Sequence, residues 1–365
     1  MTTPIKSVSK SIAFENLDIV RGIAAASVFL HHYAQQFPHP GSAALSFFER
    51  LGGWGVTIFF VLSGFCIHWS EINNRSSGNA FNIKSYFVRR IFRIYPAFVV
   101  CLIVCLIISN YHTSNNINHG GIEAVFSHLS LTSSFSLTNR NAINTVLWTV
   151  VVEAHFYILY AIFQKYFNGL KAARRMVVIS IVVSAITYVA SVTFVEAGLV
   201  RVTMQKIFAT SWWTWCLGAW AAEIIKTGHP LIKSHRLRQG VMACAIAGSL
   251  ALLFLPPTYS LQAIRFILPI FVLIGMLLIL KSQTSPLFKP LRGLGEVSYS
   301  LYLFHPVALL VGIYIVVNPI SHFVLVMVMG LLIAVFGYNC IEKPFNFKGH
   351  RLAKKISSKK AGSIS

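Results

Sequence analysis

Residues 17–32 read LDIVRGIAAASVFLHH, an apolar run that carries an aspartate, an arginine and two histidines. A membrane-crossing helix needs about 20 mostly apolar residues, and this run with its flanks (17–37) has that length. A helix serving only as an anchor avoids ionisable groups at membrane depth, because they are costly there. Asp18, Arg21, His31 and His32 therefore mark a spanning helix with a chemical task. With no clear cleavage site after it, the run reads as a retained anchor and not as a leader peptide. Comparable apolar runs follow near 52–70, 94–110, 146–164, 176–197, 207–225, 239–256, 263–280, 297–317 and 320–341. Of 365 residues, 55% are hydrophobic and 11% charged, against roughly 25% charged in soluble domains. The expected fold is an all-α integral membrane bundle of about ten transmembrane helices.

Lysine and arginine set the orientation. With the N-terminus placed in the cytoplasm, all 31 except Arg50, Arg140, Arg201, Lys206 and Arg265 fall on the cytoplasmic side. Both termini are expected there. The formal charge of +21 then reflects orientation and contact with anionic membrane lipids, and nucleic acid is not an expected partner. The expected organisation is a cytoplasmic N-terminal segment (1–16), a transmembrane domain (17–345) and a basic cytoplasmic tail (346–365), after which no further domain is expected. The longest outer segment, 111–145, is rich in Asn, Ser, Thr and His (His112, Asn115, Asn116, Asn118, His119, His128). It reads as a disordered loop or as a cover over an acceptor site. Cys66, Cys101, Cys105, Cys216, Cys244 and Cys340 sit in apolar runs without disulfide or ligand spacing, so no metal is expected.

Four clusters of polar groups lie within or beside the spans. Asp18 and Arg21 are three apart and can pair, while His32 lies eleven residues beyond Arg21, about 16 Å along the same helix. That separation suits a ligand with an anionic head at the interface and a reactive end at mid-membrane; the bland alternative is histidines bonded within the bundle. Arg89, Arg90 and Arg93 in RRIFRIYPAF offer guanidinium forks that suit phosphate oxygens, unless they only anchor the helix. Glu153, with His155, stands inside LWTVVVEAHFYILY, where a carboxylate needs a His, Tyr or Arg partner. SYSLYLFHPV places Tyr302 and His305 on one face, with Ser300 nearby and Pro306 freeing a carbonyl one turn back.

In order along nearly the whole chain, these stretches resemble the acyltransferase 3 family of membrane acyltransferases, which includes O-acetyltransferases of O-antigen and other surface glycans. LDIVRGIAAASVFLHH resembles the family's first helix, an Arg followed eleven positions later by a His, which selects His32 over His31. GVTIFFVLSGFCI (55–67) resembles the second, and Arg90, Arg93 and Pro96 fill the RxxR-IxP element. LWTVVVEAHFYILY matches the LWSLSVEEQFYLL helix with Glu153 on its first glutamate; GEVSYSLYLFHPV and IEKPF (341–345) match the closing elements. Two departures stand out: the usual EEQ is Glu153-Ala154-His155, and Thr57 occupies a position that is often acidic.

The resemblance implies acetyl-CoA as donor, entering from the cytoplasm of a bacterium whose inner membrane holds the protein. Arg89, Arg90, Arg93 and Arg21 would hold its phosphates while the pantetheine arm threads toward His32. His32 is then the general base for an acceptor hydroxyl, with Glu153 or Asp18 orienting an imidazole, and an acetyl-histidine intermediate equally compatible. Tyr302 and His305 would meet the oxyanion, and Ser300 and Trp148 complete the substrate residues. The acceptor is expected to be a glycan or glycolipid: O-antigen, lipopolysaccharide or exopolysaccharide. The residues are also compatible with a homodimer. A transporter or flippase for a lipid-linked glycan is the main rival, weakened by the lack of internal repeats; a non-catalytic scaffold is the other.

Overall fold

The computed structural model describes residues 10–37, 42–111, 121–136, 138–196, 198–227, 234–255, 265–280, 288–315 and 317–361. His112, Asn115, Asn116, Asn118 and His119 of the outer segment lie outside the described residues, as do residues 1–9 and 362–365 of the terminal segments. Among the described residues the chain is 87% helix and contains no strand.

The helices in chain order begin with α1 (Lys10–Gln36), α2 (Ala43–Phe48), α3 (Leu51–Ser76), α4 (Ile83–Tyr111) and α5 (Gly121–Leu129). They continue with α6 (Leu147–Phe163), α7 (Leu170–Thr193), α8 (Leu199–Lys206), α9 (Phe208–Lys226) and α10 (His235–Ala251). The last are α11 (Leu268–Ile279), α12 (Lys289–Glu296), α13 (Ser298–Gly312), α14 (Pro319–Gly337) and α15 (Lys343–Ala361). Every apolar run read from the sequence thus overlaps a helix. By length and composition, five stretches are able to cross a membrane: Ala43–Ser76, Ile83–Ile108, Leu147–Phe167, Leu170–Thr193 and Pro319–Ser358. A sixth exists if the bent pair α12 and α13 is one span. The shortfall from ten has simple causes. Histidine and glutamine end α1, tryptophan and threonine dilute α9, and α11 has 12 residues, about 18 Å of helix against a core of about 30 Å.

Burial runs opposite to that of a water-soluble bundle. On α14, His322, Val326, Gly330, Ala334 and Gly337 face inward, while Ile320, Leu332 and Phe336 are among the most exposed side chains. On α7 the buried set includes Ser180, Ser184 and Ser191, and Val178, Ile186 and Val189 face out. Small and hydroxylic residues inside with branched aliphatics outside is the pattern of helices solvated by lipid.

The chain forms two compact units, residues 1–62 with 224–298, and residues 63–223 with 299–365. In the first, α1 crosses α12 with backbone contact at Gly22 and Gly295: a Cβ on Gly22 would meet the Leu291 carbonyl, and one on Gly295 the Asp18 carbonyl. Leu51, Leu252, Leu253 and Leu268 form a buried cluster beside them. In the second unit, α3 meets α9 at Gly64, where a Cβ would collide with the Trp215 carbonyl. Helix α15 lies along α4, with Gly349 against Phe92 and the Ser85 hydroxyl donating to the Ala353 carbonyl at 3.1 Å.

Gly64→Ala is expected to destabilise the protein by about 1–3 kcal/mol, because the opposing atom is backbone and cannot turn aside. Gly275→Ala has no atom within 4 Å of the new Cβ and is expected to be neutral or mildly stabilising. Thermal unfolding in detergent distinguishes them; equal midpoints for the two variants would contradict the close α3–α9 contact.

Candidate functional site

The first unit carries the candidate residues of α1. Arg21 Nη1 donates to Asp18 Oδ1 at 2.6 Å, the pairing that three-residue spacing on a helix favours. Beside them Arg292 donates to Glu15 Oε1 at 2.7 Å and lies 3.8 Å from Glu296 Oε1. Arg21 therefore sits in a network that already holds carboxylates.

The two histidines differ in their bonding. His31 Nδ1 donates to the Glu49 carbonyl at 2.6 Å, and its ring packs so closely on Gly52 that no Cβ fits there. His31 thus ties α1 to the turn before α3. His32 Nδ1 donates to the Val28 carbonyl at 2.9 Å, its own helix one turn back. A carbonyl can only accept, so Nδ1 carries the proton and a neutral ring has its lone pair on Nε2. Asp18 lies about 21 Å down the helix from His32 and is bonded to Arg21. It does not orient that imidazole; the Val28 carbonyl does.

The second unit holds the other candidates. Glu153 on α6 accepts from Ser63 Oγ of α3 and from the Tyr157 hydroxyl one turn on, both at 2.6 Å, and Trp215 Nε1 of α9 donates to Ser63 Oγ at 3.3 Å. The expected partner type was His, Tyr or Arg; a tyrosine is present, and a serine that spacing did not suggest joins it. His155 packs instead between the rings of Phe135 and Phe208.

The arginines lie on α4 where α15 packs. Arg89 Nη1 donates to Ser85 Oγ at 2.7 Å, and the Arg90 guanidinium lies 5.8 Å from the ring centroids of both Tyr86 and Tyr157. All ten Asp and Glu are among the described residues, and none is within ion-pair distance of Arg89, Arg90 or Arg93. The Nε atoms of Arg89 and Arg90 are buried without a partner among the described residues. Glu71 acts on Arg89 from beyond ion-pair distance, and three guanidiniums without a paired carboxylate fit an anionic ligand.

Helix α13 carries the remaining set. The Tyr302 hydroxyl lies 2.5 Å from Thr149 Oγ1 and 3.4 Å from the Val146 carbonyl. His305 is fully buried, its Nδ1 donating to the Leu301 carbonyl at 3.2 Å, and the Tyr302 and His305 rings meet edge to face at 6.1 Å. With Nδ1 so engaged, His305 donates through Nε2 only when protonated. Ser300 is separate from this pair: its Oγ donates to Glu342 Oε2 at 2.9 Å, on the π-helical turn Tyr338–Glu342. Trp148 lies under the Lys206 ammonium at 5.1 Å.

A further buried polar group went unread in the sequence. His68 lies 2.9 Å from the Tyr160 hydroxyl and 3.0 Å from Glu223 Oε1, which also accepts from Arg75 Nη2 and the Gly169 amide. Ser63 and Glu342 stood inside quoted motifs, VLSGF and IEKPF, but nothing local pairs them with Glu153 and Ser300.

Residues 14–339 match a family model described as an acyltransferase domain. The chain is 25% identical over 371 residues to a Bacillus subtilis protein named "Putative peptidoglycan O-acetyltransferase", covering 92% of this chain and 55% of that one. It is 22% identical over 376 residues to an O-acetyltransferase of Staphylococcus aureus, covering 94% and 59%. Over 163 residues it is 26% identical to a peptidoglycan O-acetyltransferase of Listeria monocytogenes, covering 40% and 24%. The chain thus spans little more than half the length of the curated relatives it matches most fully. No solved structure matches it.

Glu153→Ala strands two hydroxyl donors, the buried Tyr157 and the half-buried Ser63, at about 1–3 kcal/mol each at most. Glu153→Gln keeps an acceptor oxygen and is expected to lose clearly less. Unfolding midpoints measure the order; an alanine variant as stable as the glutamine one would show that the carboxylate does not hold α3 and α6 together.

Proposed function

This chain belongs to the acyltransferase 3 family, and from that premise we propose that it moves an acetyl group from cytoplasmic acetyl-CoA to a hydroxyl of an extracytoplasmic glycan. The observation that carries the reading is His32, whose Nδ1–H bond to Val28 leaves the basic lone pair on Nε2. A sugar hydroxyl is a weak nucleophile until its proton is removed, and a positioned base contributes about 10²–10⁴-fold. The oxygen–carbon bond to the acetyl group forms as the carbon–sulfur bond breaks. His32 takes the hydroxyl proton and passes it to the departing thiolate.

Roles follow residue by residue. Arg89, Arg90 and Arg93 hold donor phosphates, a reading supported by the lack of any carboxylate within ion-pair distance of them. Arg21 adds charge at the same end of its helix as Asp18. Glu153 fixes the hydroxyls of Ser63 and Tyr157, and through Tyr157 the stacking surface of Arg90. Tyr302 and His305 are assigned to the developing oxyanion, His305 donating in its charged form. The topology is about ten crossings with both termini in the cytoplasm of a bacterial inner membrane. The acceptor is a surface glycan: the relatives' names support a peptidoglycan-like polymer alongside O-antigen, lipopolysaccharide and exopolysaccharide.

Acetyl-CoA turnover by the purified chain, with glycan-containing membrane extract as acceptor, tests this. His32→Ala is expected to lower acceptor-dependent CoA release about 10²–10⁴-fold with donor affinity kept. Arg90→Ala is expected to weaken donor binding about 10–100-fold. Turnover indifferent to His32 would remove it as the base, and a stable acetyl-His32 formed with donor alone would replace direct transfer by a covalent intermediate.

A further inference from the structure

Arg140 is a full charge that the packing around it leaves unanswered. It sits on the short 3₁₀ turn Asn139–Asn141 and is 1% exposed. Its Nη1 donates to Thr203 Oγ1 at 2.8 Å, on α8, and its Nε has no partner among the described residues. Every Asp and Glu of the chain is among those residues, and none pairs with it. A guanidinium stays protonated in proteins, and a buried charge without a counter-charge is costly.

Three neutral groups share this predicament. His128 Nε2, Ser133 Oγ and Ser134 Oγ are also without partners among the described residues, and all three side chains are 0% exposed. They lie on α5 and on the turn Ser133–Phe135, which pack on each other and on the Arg140 turn, while α8 packs on the serine turn. His128 Nδ1 donates to the Ala124 carbonyl at 2.8 Å, and burial pushes its pKa below the ordinary 6.5. Its Nε2 is therefore an acceptor. The backbone adds an independent mark. Leu131 (φ 60°) and Ile143 (φ 69°) are the non-glycine residues with positive φ among those described, and they bracket the segment that holds Ser133, Ser134 and Arg140. For a β-branched residue such a conformation is a real outlier, and strain of this kind collects at ligand clamps.

We infer that His128, Ser133, Ser134 and Arg140 form a binding site for an acidic sugar, with Arg140 on its carboxylate and Ser133, Ser134 and His128 on its hydroxyls. The inference rests on the glycan-acceptor reading and specifies it: the acceptor carries a uronic-acid-like residue. One buried guanidinium among neutral groups matches a monoanion ringed by hydroxyls, the fork meeting both carboxylate oxygens. A phosphate dianion calls for a second cation, and Lys206 on α8 is held over the Trp148 ring.

The test is calorimetric binding to the full chain in detergent, with trigalacturonate, maltotriose and inorganic phosphate as probes. Trigalacturonate is expected to bind at least about tenfold tighter than maltotriose, and Arg140→Gln to abolish the difference. Arg140→Met, freed of the uncompensated charge, is expected to unfold about 2–4 °C higher than the ligand-free wild type. Equal affinity for the two trisaccharides, preference kept in Arg140→Gln, or a lowered midpoint in Arg140→Met would overturn the proposal. So would phosphate competing as well as trigalacturonate, since it would make the ligand a phosphate. Acetyl-CoA turnover in the same samples separates the two readings. Arg140-dependent uronate binding without any turnover sinks the transferase and keeps the site, whereas turnover without uronate preference does the reverse.

Discussion

A carboxylate seated in an apolar helix must be given hydrogen-bond donors, and around Glu153 that requirement organises the second unit. Ser63 from α3 and Tyr157 from α6 supply them, and Trp215 from α9 donates in turn to Ser63. Hydrogen bonds to a charged group are worth about 1.5–3 kcal/mol each, more than neutral ones. Trp215 reaches Ser63 because the next residue is Gly64, where the α3 backbone lies against the Trp215 carbonyl. Tyr157 extends the cluster to α4: its carbonyl accepts from Tyr86, and both rings flank Arg90. One carboxylate thus sets the neighbours of an arginine on another helix, an arrangement that lipid solvation favours because water cannot satisfy these groups instead.

What the sequence made legible was the part governed by helical periodicity. Asp18 and Arg21 pair because residues three apart share a face, and the span from Arg21 to His32 follows from rise per residue. The apolar runs mark helices for the same reason. Tertiary pairing was not legible. His31 and His32 are adjacent and chemically identical, and only the fold sends Nδ1 of one to the Glu49 carbonyl and Nδ1 of the other to the Val28 carbonyl. Ser300 and Tyr302, two apart, face different partners, Glu342 and Thr149. Arg140 read as an ordinary outer charge, since nothing in its neighbours announces that it is buried.

The histidines share a device with chemical consequences. His32, His128 and His305 each donate Nδ1–H to the carbonyl four residues back. That bond uses the helix itself to set the tautomer, so each neutral ring has a basic Nε2 without spending a carboxylate on it. It gives His32, the proposed base, and His128 each an Nε2 that accepts when the ring is neutral. It limits His305, which donates only after taking a proton. His68 is built differently, with Tyr160 on one ring nitrogen and Glu223 on the other. Both its nitrogens are occupied, which makes it a tie between helices and not an exposed base.

Charge allocation joins these observations. The chain has 31 basic and 10 acidic residues, so carboxylates are scarce, and where they pair they hold structure. Asp18 answers Arg21, Glu15 answers Arg292, and Glu223 answers Arg75 together with His68. Glu153 and Glu342 are bonded to hydroxyls instead. None of them pairs with Arg140 or with an arginine of α4, where Glu71 acts on Arg89 from beyond ion-pair distance. A fold that buries or half-buries cations while sending its few carboxylates elsewhere leaves those cations to anions from outside the chain. In the proposed reaction the anion at α4 is the donor's phosphate, and the proposed occupant of Arg140 is the acceptor's carboxylate. Selectivity for both proposed substrates would then come from where the protein withholds its own acids.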